Sequence, residues 1–184
     1  MTTKYEQISS SLFVKNRKKF TEKMQPKSLA IFNSNDIYPV SSDSTMPFAQ
    51  HRDIFYLSGV DQEESILLFF LDAYKEEHRE ILFLRETNEH IAIWEGEKLT
   101  KEKATEVSGV KSVFWLSDFD RIFYNLMNEA ENIYLNKNEH YRAVLEVQTR
   151  EDRFIERVKK EFPLHEILRS NPILQHLRSI KEPE

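Results

Sequence analysis

Apolar positions along this chain fall into short blocks with two rhythms. Ile8, Leu12, Phe13, Phe20 and Met24 recur at helical spacing. They predict an amphipathic opening helix with Lys15, Arg17, Lys18 and Lys19 mostly on its solvent side, ended by Pro26. Residues 28–32 form a short apolar run, read as a buried strand. Residues 33–47 are polar, hold two prolines and predict a long ordered loop, a kind of segment that often carries function in compact domains. Residues 65–71 and 80–84 are continuous apolar runs joined by a charged turn. They read as neighbouring strands buried on both faces, with helices covering the sheet. Residues 90–95 alternate like a strand, 100–107 suit a short helix, and 111–116 suit another strand.

Ser117 opens the strongest helical signal. Ser117 and Asp120 resemble a capping pair, and Phe119, Ile122, Phe123, Leu126 and Met127 make one apolar stripe. A strand is expected at 132–135. Thr149 is placed to cap a helix carrying Phe154, Ile155 and Val158, ended by Pro163. Asn171-Pro172 starts a last helix whose inner face is Ile173, Leu174, Leu177 and Ile180. This alternation of strands and helices predicts an α/β fold, a mixed sheet of about five or six strands flanked by helices.

At 184 residues the chain suits one domain with room for a substantial core. Its net charge of −5 argues against a general nucleic-acid binder, which needs a basic face. No apolar run approaches the roughly 20 residues that cross a bilayer, and the first residues turn polar too soon for a signal peptide. Neither nucleic acid nor membrane is therefore an expected partner. The absence of cysteine removes disulfides, zinc–thiolate sites and thiol nucleophiles, and fits a cytoplasmic setting. Gly59, Gly96 and Gly109 stand too far apart to build a phosphate loop. None of the six histidines makes a His-Glu-x-x-His pair: His165-Glu166 begins one, but Arg169 holds the second histidine position.

Two residues stand out as candidates for chemistry. Asp43, in Ser-Ser-Asp-Ser-Thr, either closes an Asx turn or offers its carboxylate to a cation. Trp94 faces away from Ile91 and Ile93 if 90–95 is extended. It then either packs under a helix on the second face or lies open for an interface.

Residues 43–59 (Asp-Ser-Thr-Met-Pro-Phe-Ala-Gln-His-Arg-Asp-Ile-Phe-Tyr-Leu-Ser-Gly), 91–96 (Ile-Ala-Ile-Trp-Glu-Gly) and 178–184 (Arg-Ser-Ile-Lys-Glu-Pro-Glu) belong together. In this order the set resembles the N-terminal domain of the creatinase/aminopeptidase P family, specifically Xaa-Pro aminopeptidases. The resemblance implies the creatinase/prolidase N-terminal fold over 1–176. Residues 177–184 would begin the connection to a C-terminal metallopeptidase domain that this chain lacks. It implies a parent hydrolase that acts on peptides with proline in second position, a homo-oligomer with a dinuclear manganese site in the downstream domain. No catalytic or metal-binding residue then falls in 1–184. Asp43 and Trp94 match family residues that reach a neighbouring subunit's substrate cleft, whereas Gln50, Asp53 and Tyr56 are read as fixing the loop and Gly59 as supplying a special backbone angle. Asn171 stands where relatives often carry an arginine, so that contact does not transfer. A rival reading is an assembly or binding module of a prolidase-like or catalytically inactive family member.

Overall fold

A computed structural model of the chain describes residues 8–88, 96–144 and 146–181. Its elements run α1 (Ser10–Thr21), β1 (Ser28–Asn33), β2 (Pro39–Ser41), β3 (Ser44–Thr45), α2 (Arg52–Ser58), β4 (Ile66–Phe69), β5 (Glu80–Leu84), α3 (Lys101–Ser108), β6 (Ser112–Trp115), α4 (Phe119–Glu129), β7 (Asn132–Leu135), α5 (Arg150–Glu161), β8 (Glu166–Arg169) and α6 (Asn171–Ser179). Six strands form one mixed sheet in the order β6-β5-β4-β1-β7-β8. The β1/β4 and β4/β5 pairs are antiparallel; β1/β7, β5/β6 and β7/β8 are parallel.

The continuous apolar runs follow from the two-faced burial of this sheet. Successive side chains of a strand point to opposite faces. Leu29, Ile31, Ile66, Leu68, Ile81 and Phe83 therefore join one core, under the apolar stripe of α4 and Val158 of α5. Ala30, Phe32, Leu67, Phe69, Leu82 and Leu84 join the other, under Phe20 of α1, Ile54 and Leu57 of α2, Ala104 of α3, and Leu174 and Leu177 of α6. With neither face left to water, alternation has no role in these strands.

Local signals set several boundaries. Thr149 and Asp152 exchange backbone bonds in a capping box at the start of α5. Ser117 behaves otherwise: its hydroxyl bonds Glu86, and the residue before α4, Asp118, makes no side-chain cap. The polar stretch 33–47 contains the small β2–β3 hairpin. β8, an edge strand with Glu166 and Arg169 exposed, has too little apolar character to stand out in the sequence. Ile180 is not on the inner face of α6; it follows the helix and is 55% exposed.

Arg17 overturns its placement on the solvent side of α1, being 2% exposed. Its Nε donates to Glu80 Oε1 at 2.7 Å, and Nη1 donates to the carbonyls of Leu57 and Ser108, both at 2.8 Å. Those carbonyls lie in the last turns of α2 and α3, where unpaired C=O groups collect and a cation is favoured. The two helices end alike, in Ser58-Gly59-Val60 and Ser108-Gly109-Val110. Each serine hydroxyl donates back to a carbonyl four residues earlier and accepts from the valine amide. Each glycine is left-handed, at φ 69° and 72°. At Gly59 a Cβ would also fall 2.2 Å from the Phe13 ring, so glycine is required there twice over.

Burial depresses the Arg17 pKa, with Glu80 opposing. Arg17→Met keeps the stem but strands two carbonyls and leaves Glu80 unpaired. It is expected to lower stability by about 3 kcal/mol, read as a shifted urea midpoint with an unchanged slope.

Candidate functional site

The site region starts at the β2–β3 hairpin, exposed along both strands. Ser42, first of its two turn residues, takes φ 50°. Asp43 follows it at the tip, and no hydrogen bond or ion pair to another described residue occupies its carboxylate. An Asx turn therefore does not account for it. Behind the hairpin the loop is fixed by amide side chains. Asn35 Nδ2 donates to the Ala49 carbonyl at 2.8 Å, while Gln50 Nε2 reaches the carbonyls of Val60 and Gln62 at 3.1 and 3.0 Å. Gln50 Oε1 accepts from the His51 amide at 2.8 Å. Trp94 lies outside the described residues, as do Ile91 and Ile93. Just beyond that segment, Lys98 pairs with Glu63, and the Leu99 amide donates to Gln62 Oε1 at 2.7 Å.

Next to this loop lies a buried polar cluster that the sequence did not announce. His51 caps α2: its Nδ1 accepts from the Asp53 amide at 3.3 Å, and its Nε2 faces Glu151 Oε1 at 3.7 Å. Asn136, just past β7, donates from Nδ2 to Asp53 Oδ2 at 3.2 Å and Glu151 Oε1 at 3.0 Å. Its Oδ1 accepts from Ser170 Oγ at 2.8 Å. Arg178, in the last turn of α6, donates from Nη1 to Asp53 Oδ1 at 2.7 Å. Loop residues 50–51 and the starts of α2 and α5 thus meet the end of α6 through one network. Burial pushes the Glu151 carboxyl above its ordinary range and the Asp53 charge adds to this, while His51 and Asn136 oppose it. Among the described residues no group of three or more His, Asp or Glu side chains is placed to hold an ion.

Between α1, α2 and the end of α6 an open groove of about 490 Å³ is lined by Leu12, Phe55, Tyr56, Arg52, Ile180 and Lys181, among others. Its lining joins apolar side chains to Lys19, Arg52, Arg178 and Lys181, with Asp61 among them. No described helix is long and apolar enough to cross a membrane.

Because Glu151 has a raised pKa in the fold, its favourable contribution is complete below the unfolded value and is lost as pH rises through the folded one. Glu151→Gln, which cannot ionise, is expected to raise the melting temperature at pH 7.5 by about 2–4 °C, the shift of a ~1 kcal/mol gain. The gain should vanish near pH 4. Thermal melts of both proteins across that range check it.

The fold and these loops have counterparts. Residues 13–134 match the family described as "Aminopeptidase P, N-terminal domain". The chain is 25% identical over 179 residues to a Xaa-Pro aminopeptidase of Escherichia coli (strain K12), covering 97% of this chain and 40% of that protein. It is 26% identical over 171 residues to one from Haemophilus influenzae, with 93% and 37% covered. Its fold superposes on a candidate aminopeptidase P from Bacillus anthracis with a TM-score of 0.84 at 22% identity, over 95% of this chain and 41% of that one. The E. coli aminopeptidase P structure gives 0.76 at 25% identity, covering 97% and 41%. The chain therefore spans about two fifths of the length of the proteins it matches. Matched over 122 residues from Phe13 to Tyr134, which include the hairpin and, of the buried cluster, His51 and Asp53, the chain belongs to the aminopeptidase P N-terminal domain family.

Proposed function

We propose that this chain is the N-terminal, non-catalytic part of a longer metal-dependent Xaa-Pro aminopeptidase, a hydrolase that removes the residue preceding a proline. The observation that carries this reading is the match along 97% of the chain to a Xaa-Pro aminopeptidase of which it spans 40%. The chemistry is assigned to the remainder, because the described residues do not fit a dinuclear metal site. When bound there, manganese would activate water and polarise the scissile carbonyl. This domain would contribute oligomer contacts and part of the substrate cleft, in a cytoplasmic protein. Proline lacks an amide N–H and restricts the residue before it, so a wall shaped for such a peptide is physically sensible.

The test compares the isolated chain with the longer protein, both supplied with manganese, on a peptide with proline in second position. Turnover is expected from the longer protein alone. Metal-dependent turnover by the isolated chain, abolished by a substitution within it, would move the chemistry into this domain. A folded longer protein without turnover would favour an assembly or binding module.

Asp43 and Trp94 are assigned to the cleft of a neighbouring subunit. Support for Asp43 is its place at an exposed hairpin tip with no described partner; support for Trp94 is its position in the 91–96 motif. A carboxylate holding an ammonium or guanidinium contributes ~1.5–3 kcal/mol, and each ~1.4 kcal/mol is tenfold. Asp43→Asn and Trp94→Ala should each lower kcat/KM of the longer protein about tenfold or more, with unchanged melting of the isolated chain. Mixing Asp43→Asn protomers with protomers disabled at a downstream metal ligand should recover activity. A verified mixed oligomer without recovery removes the action across subunits.

A further inference from the structure

Asp53 and Arg178 are 125 residues apart in sequence and meet at 2.7 Å. Both belong to segments by which the chain resembles its family, and Arg178 lies at the end of the last helix. The Asp53 carboxylate is buried and uses its two oxygens in different directions. Oδ2 is turned inward to Asn136, and Oδ1 holds Arg178. Leu174 and Leu177 seat α6 in the core, but the next residue on that side, Ile180, is not seated. Apolar contact is non-directional. A charged hydrogen bond on a planar guanidinium fixes distance and angle. The last turn of α6 therefore takes its orientation from Asp53. Asp53 in turn is held by the helix start at His51 and by Asn136. One wall of the groove, Ile180 and Lys181, follows directly from this turn.

We propose that Asp53 and Arg178 form a clasp that fixes the direction in which the chain leaves this domain. They are positioning residues for whatever follows Lys181. The clasp rests on the reading of this chain as the first part of a longer aminopeptidase only in its consequence for turnover; the clasp itself is a property of residues 51–181. Its partners explain the choice of a charged pair. Asp53 and Glu151 share the amide of Asn136, and a second carboxylate nearby penalises an unpaired Asp53. The aspartate thus favours any arrangement that keeps Arg178 in place.

The test is the double variant Asp53→Asn/Arg178→Gln, which removes both charges and strands neither. The chain should still fold, melting within about 4 °C of the parent. Amide exchange in residues 177–181 should rise about tenfold or more, with exchange in β1 and β4 unchanged. In the longer protein, small-angle scattering should show a broader spread of distances. There kcat/KM should fall about tenfold or more with metal content unchanged, as expected when reacting groups are misplaced rather than lost. If the double variant does not fold, Arg178→Lys replaces it, keeping the charge without the fork, with the same changes expected at smaller size. Unchanged exchange in 177–181 would overturn the clasp, since Leu174 and Leu177 would then suffice. Faster exchange with unaltered scattering and turnover would overturn its positioning role. A longer protein that cleaves no Xaa-Pro peptide before any substitution would overturn the aminopeptidase reading instead, and exchange and scattering would still decide the clasp.

Discussion

Placing a guanidinium in a core costs several kcal/mol unless its fork is met by acceptors. Arg17 meets that condition by drawing the ends of two helices and the first residue of β5 to one point. α2 and α3 come from distant stretches of sequence, and neither is long enough to be stable alone. Their shared terminator, a serine turned back on its own helix and a left-handed glycine, leaves carbonyls aimed at α1. The layer of helices over this face of the sheet is thus organised by polar geometry, while Phe20, Ile54, Leu57 and Ala104 fill the space beneath.

The same arrangement places the functional region. α2 has only seven residues, yet both ends are fixed: Arg17 and Gly59 at one, His51 and Asp53 at the other. A short rigid helix then carries Phe55 and Tyr56 to the groove and Asp53 to Arg178. The hairpin bearing Asp43 projects from the loop before it, tied down by Gln50 and Asn35 but exposed along its strands.

Much of this was legible in the sequence, for identifiable reasons. Strands 66–69 and 80–84 announced their two-sided burial by continuous apolar character, α4 by its stripe, and α5 by Thr149. The polar stretch 33–47 was legible as a long loop, but the short β2–β3 hairpin within it was not, since its few residues are all exposed and leave no apolar pattern. Arg17 was misplaced because it sits among Lys15, Lys18 and Lys19, and composition around a residue does not tell which of four cations turns inward. The twin Ser-Gly-Val endings were a usable signal, since they hold two of only three glycines. The cluster of His51, Asp53, Asn136, Glu151 and Arg178 was legible only in part: Asp53 and Arg178 fall in the segments that carry the resemblance, but Asn136 and Glu151 are ordinary polar residues, and the meeting depends on the parallel pairing of β1 with β7 and of β7 with β8. Ile180 was assigned inward by extending a helical period past the point where the helix stops.

The β8 edge has a consequence of another kind. An open strand edge is a template for further strands, and long apolar edges invite aggregation. β8 has four residues, with Glu166 and Arg169 exposed, and Arg169 is engaged by Glu139 through Nε at 2.9 Å. A stranger approaching here meets a short ledge with a charged side chain at each end, one of them held by Glu139. Growth of the sheet from this side is disfavoured, even where many copies of the domain are crowded together.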